Sequence, residues 1–161
     1  MFSMSESMQS QFDYVLAERL ARLAGRFGAY GTRFVGLRLP VNRATRTMTV
    51  WSDPDSVSRV LRGVLADAGE IIAWSQEAET NLAIGAVVGT GRRGLNPALA
   101  VGTVQAAPDG NAVVTLAGYA KEGLIKQRGG EEAAERLLSL LEVRLGQGGL
   151  KFVVSSEAPP N

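Results

Sequence analysis

Between two amphipathic helix patterns the chain runs through four strand patterns in succession, Glu70–Gln76, Asn81–Gly89, Ala98–Ala106 and Ala112–Tyr119. Strands that follow one another across short turns pair antiparallel, because a parallel pair needs a crossover of a dozen or more residues. The step Asp109-Gly110 within Pro108–Asn111 predicts a hairpin turn. Ahead of the four strands, Thr47–Ser52 alternates as a strand, with Met48 and Val50 on one face and Trp51 opposite. Ser52 or Asp53 then caps a helix that carries Pro54 in its first turn. Its apolar stripe is Val57, Val60, Leu61, Val64, Leu65 and Ala68, and Gly69 ends it. A second helix over Gly129–Gly146 turns Ala134, Leu137, Leu138, Leu141 and Leu145 inward, with Glu131 and Glu132 at its dipole-favoured start. The order β-α-β-β-β-β-α predicts an α+β fold, a curved antiparallel sheet packed against helices over residues 47–155. Lys151–Ser155 is a short strand-like run, and 156–161 a tail.

Residues 1–46 read as an N-terminal amphipathic helix and an Arg-rich connector. From about Ser5 to Phe27, Phe12, Leu16, Leu20, Leu23 and Phe27 recur at spacings of three and four, close to a short heptad seam. Gly28–Arg46 follows, with Arg33, Arg38, Arg43 and Arg46 and no acidic residue. Arg33–Leu39 alternates as a short strand that Pro40 ends or confines to a sheet edge.

The strand patterns hold many small residues: Ala83, Gly85, Ala86, Ala98, Ala100, Gly102, Ala117, Gly118 and Ala120. An interior glycine costs roughly 0.5–1 kcal/mol relative to alanine, so the run of them needs a reason. Strong curvature around a helix is one, and room for a ligand against a concave face is the other.

A long helix following the last strand of a curved sheet resembles the helix-grip, or TATA-binding-protein-like, domains, START-like in outline. The stretch Gly118-Tyr119-Ala120-Lys121-Glu122-Gly123-Leu124-Ile125-Lys126-Gln127-Arg128, running into Glu131–Leu145, resembles the end of small bacterial domains of this shape. The resemblance spans about Thr47–Gly146 and implies the fold. It brings no catalytic residue with it.

The chemistry available is narrow. The 161 residues include no cysteine and no histidine, which removes thiol nucleophiles, thiolate and imidazole metal sites and the commonest general base. No carboxylate constellation stands out: Glu77 and Glu79 sit two apart in a turn without further ligands. No catalytic residue, cofactor or metal is therefore expected. A net charge of +1 argues against a dominant nucleic-acid surface. No apolar run suits a signal peptide or a membrane span, so a cytoplasmic location is expected.

Contacts remain. Arg92 and Arg93 in the loop Gly89–Pro97, and Lys126 and Arg128 before the last helix, are candidates to meet an anion or ligand. The stripe Phe12, Leu16, Leu20, Leu23 and Phe27, with Arg33 and Arg38, is the candidate partner-binding surface. Trp51 and Trp74 read as sheet or core aromatics. These features predict a non-catalytic module that docks onto a partner protein, or onto a second copy, through its N-terminal helix and a sheet edge. The alternative is a carrier of a small apolar or lipid-like ligand in the sheet–helix cleft. Contact with a membrane surface is the least favoured use of the stripe.

Overall fold

The computed structural model describes residues 14–19, 39–72, 82–91, 96–121 and 128–155. Its strands are β1 (Val41–Val50), β2 (Glu70–Ile72), β3 (Leu82–Thr90), β4 (Asn96–Ala106), β5 (Ala112–Lys121) and β6 (Phe152–Ser155). They form one antiparallel sheet in the order β2-β3-β4-β5-β1-β6. Helix α1 (Pro54–Ala68) precedes β2, and helix α2 (Gly129–Gln147) precedes β6. The fold is α+β, as expected. Among the described residues no helix is long and apolar enough to cross a membrane.

Local chemistry accounts for the helix ends. The Asp53 carboxylate accepts from the Ser56 amide at 2.8 Å, Pro54 opens α1, and the Gly69 amide closes it on the Leu65 carbonyl. The hairpin between β4 and β5 turns through Gly110 at φ +81°, where an L side chain would be strained. The Asp109 carboxylate there accepts from the Asn111 amide.

Both helices lie on one face of the sheet. Val57, Leu61, Val64 and Leu65 of α1, with Leu137, Leu141 and Leu145 of α2, are buried in one cluster with Met48, Val50, Ala86, Ala100, Val114 and Leu116. Two of the small strand residues, Gly102 and Gly118, answer to this packing. A side chain at Gly102 would meet Leu61 Cδ2 at 2.7 Å, and one at Gly118 would collide with the Gly130 carbonyl of α2. At these two positions a helix side chain and helix backbone lie directly against the sheet.

β1 begins at Val41, not Thr47, so the boundary drawn after Arg46 falls inside a strand. Asn42 and Arg46 face the helices yet are polar, which hid the alternation. Each reaches the rim of α2: Asn42 Oδ1 accepts from the Glu131 amide at 3.2 Å, and Arg46 Nε donates to Glu135 Oε1 at 2.7 Å. The N-terminal strand pattern Arg33–Leu39 falls, except for Leu39, outside the described residues. Leu39 is a bend residue ahead of Pro40.

The opposite face of the sheet is covered from the N-terminal side. Residues 14–19 are helical. Leu16 is 1% exposed and clusters with Leu99, Val101, Ala117 and Tyr119, with Val41, Ile72 and Val87 around them. Arg19 bridges to Glu70 at the start of β2.

Candidate binding surface

Three places bear on function. The first is the end of the sheet where α2 begins. Arg128 is exposed, at φ +50° and ψ +36°, and its guanidinium lies 3.6 Å from the Glu131 carboxylate. The β3–β4 hairpin reaches the same helical turn: the Gly91 amide donates to Glu132 Oε2 at 2.9 Å, and Arg136 donates to the Gly89 carbonyl at 3.3 Å. The two candidate anion-contacting segments are thus neighbours through their described ends. Arg92, Arg93 and Lys126 lie outside the described residues. The helix start itself is engaged within the chain, since Asn42 takes the Glu131 amide and the Arg128 carbonyl takes the Glu132 amide. These contacts fasten a hairpin to a helix.

The second place is the N-terminal stripe. Phe12, Leu20, Leu23, Phe27, Arg33 and Arg38 lie outside the described residues. Leu16 is described, and it packs on this chain's own sheet. Beneath it Tyr119 is 2% exposed, with the Arg43 guanidinium 5.4 Å from its ring centroid. Burial pushes the Tyr119 phenol above its ordinary value, while Arg43 pulls the other way. Lys121, at the same end of β5, is buried and donates from Nζ to the Leu39 carbonyl at 3.2 Å.

The third place is the corner formed by β1 and β6, the outermost strand. Trp51 is 51% exposed and Val153 50% exposed. Of the expectation of a sheet or core tryptophan, the core half fails at Trp51, which stands at the end of β1 with its side chain half exposed. The reason is a tight turn, in which the Ser52 amide donates to the Val50 carbonyl and the chain leaves the sheet before reaching the α1 cap. The Trp51 amide still donates to the Lys151 carbonyl at 3.0 Å, which ties the corner together. Trp74 lies outside the described residues. Inward from the corner, Ser155, Thr47, Thr115 and Thr103 stand directly opposite one another across β6, β1, β5 and β4. They share the face on which Leu16 sits, so that face has an apolar part beneath Leu16 and a hydroxyl-bearing part toward the corner. Sequence reading missed this corner. Its signal was the uncharged run Phe152-Val153-Val154-Ser155, with no proline and no acidic residue.

Among the described residues, no group of three or more His, Cys, Asp or Glu gathers where it could hold a metal ion. Most described carboxylates have structural partners: Asp53 and Asp109 in turns, Glu70, Asp67, Glu131 and Glu135 with arginines, and Glu132 with the Gly91 amide. No family model matches this chain, and no curated protein matches it.

Proposed function

We propose that this protein is a non-catalytic binding module and that it meets a protein partner through the β1–β6 corner of its sheet. The carrying observation is that Trp51, just past the end of β1, and Val153, on the outer strand β6, are both large apolar side chains about half exposed. Isolated exposed apolar residues are ordinary. Two beside an edge strand with outward-facing backbone groups make a recognisable docking feature. The commitment of so many carboxylates to internal partners supports the non-catalytic part. The filling of the small-residue positions by Leu61 and Gly130 favours this reading over a ligand carrier.

The test is site-specific photo-crosslinking in host cells. A crosslinker at Val153 is compared with one at Arg62, which is exposed on α1. Discrete protein adducts from position 153, with none from 62, are the expected result. Equal adduct patterns from both positions, or none from 153, would overturn the reading.

A further inference from the structure

The two edges of the sheet are built differently. β2, at one edge, opens with a charged residue, Glu70, and Arg19 of the N-terminal helical segment is bridged to it. Charges at an edge and a covering segment are the usual guards against edge-to-edge pairing. β6, at the other edge, is Phe152-Val153-Val154-Ser155, without charge or proline, and among the described residues nothing pairs with its outer side.

The direction of its backbone groups follows from the ladder. The Trp51 amide donates to the Lys151 carbonyl, and Thr49 lies opposite Val153. In an antiparallel pair the peptide groups point alternately toward and away from the neighbour. Residues 151, 153 and 155 therefore bond toward β1, and the amides and carbonyls of Phe152 and Val154 point outward. Two donors and two acceptors stand at alternate positions on a strand whose four residues carry no charge, with Lys151 just before them.

We infer that β6 pairs with β6 of a second copy of this chain, antiparallel about a two-fold axis at Val153, and so joins two sheets into one. This rests on the reading of the β1–β6 corner as the docking surface and names its occupant. The strand is complementary to itself in three respects. With Val153 opposite Val153 of the other copy, Phe152 stands opposite Val154, and the outward groups of these two residues exchange four hydrogen bonds across the axis. Residues that meet across an antiparallel pair share a face. The partly buried Phe152 and Val154 would therefore complete each other's cover on the helix side, while the half-exposed Val153 side chains meet on the other. Charge is also matched, since Lys151 falls opposite Ser155 and no like charges oppose each other. So short a pairing makes a reversible, concentration-dependent dimer.

Sedimentation of the full chain between low micromolar and millimolar concentration tests this, with two variants. Val154→Pro removes an outward amide that the β1 ladder does not use, so the hydrogen bonds to β1 are kept. Val153→Lys sets two ammonium groups face to face at the axis. The expected result is a wild-type mass rising toward twice 17.0 kDa. Each variant should weaken dimerisation at least about tenfold while keeping its circular dichroism. If Val154→Pro does not fold, Val153→Lys decides. A wild type that stays at 17.0 kDa throughout, or a dimer that survives the substitutions, overturns the inference. If crosslinks from residue 153 reach a different protein while the wild type stays monomeric, the second copy is the wrong occupant and the binding-module reading stands.

Discussion

Adding one methyl group to the sheet at Gly118 should cost far more than adding one to a helix at Gly63, although both changes are glycine to alanine. At Gly118 the new Cβ would strike the Gly130 carbonyl and lie 2.9 Å from the Ala134 amide nitrogen. Both are backbone atoms of α2, so no side chain can rotate aside. Relief requires the first turns of α2 to move off the sheet by roughly 1 Å, and a gap of that size forfeits a quarter to a half of each dispersion contact. Gly129, Gly130, Ala133, Ala134 and Leu137 are buried beneath those turns, and Asn42 would lose its bond to the Glu131 amide. Overpacking of this kind costs about 1–3 kcal/mol, and the rigid backbone obstacle puts Gly118→Ala at about 3 kcal/mol. At Gly63, inside α1, an added Cβ meets nothing within 4 Å. Gly63→Ala should therefore stabilise by about 0.5–1 kcal/mol through helix propensity and unfolded-state entropy. Urea unfolding followed by circular dichroism measures both, with unchanged m-values as the check on two-state behaviour. A Gly118→Ala variant within 1 kcal/mol of wild type would refute the claim that small sheet residues exist here to admit helix backbone.

Two further perturbations address the opposite face. Leu16→Ala removes the buried leucine that residues 14–19 set against Leu99, Val101 and Tyr119. A loss of about 2–5 kcal/mol is expected, read as a fall of roughly 2–4 °C in Tm per kcal/mol, and an unchanged Tm would mean that the segment does not hold this face. Tyr119→Phe tests the buried phenol. The folded value lies above the unfolded one, so the unfolded phenol ionises first as pH rises. The contribution is whole below about pH 10 and is lost as pH climbs through the folded value. Wild type should lose more stability than Tyr119→Phe between pH 9 and 11, roughly, in parallel urea titrations, and equal slopes would refute the burial argument.

What was legible in the sequence was whatever repeats with a period. The stripes of α1 and α2, the cap at Asp53, the turn at Asp109-Gly110 and the four consecutive strands all followed from spacing and turn chemistry, because each is set by neighbours along the chain. β1 was half legible. Met48 and Val50 alternate visibly, but Asn42 and Arg46 owe their place to Glu131 and Glu135, which lie 89 residues away in each case. Glycine in a strand signals close approach without saying what approaches, so Gly118 was read as curvature or ligand room when it faces Gly130. Trp51 was hidden for a different reason, since composition places a tryptophan inside and only the turn at Ser52 brings it out.

The faces and edges of this sheet differ in how much of their apolar area and charge is matched inside the chain. On the helix face, Gly102 and Gly118 lie so close to Leu61 and to the Gly130 carbonyl that even an added Cβ would collide. On the other face, Leu16 closes the region over Leu99 and Tyr119, and the bridge from Arg19 to Glu70 ties the same segment to the β2 edge. Every one of these arrangements spends apolar area or charge inside the chain. The β1–β6 corner does the reverse: Trp51 and Val153 remain half in solvent, and the outward groups of Phe152 and Val154 have no partner among the described residues. An unguarded edge is a hazard that proteins suppress with a charge or a proline. β2 carries a charge at Glu70, whereas β6 has none between Phe152 and Ser155 and only Lys151 just before it, a difference that supports the proposed extension of the sheet from the β6 side.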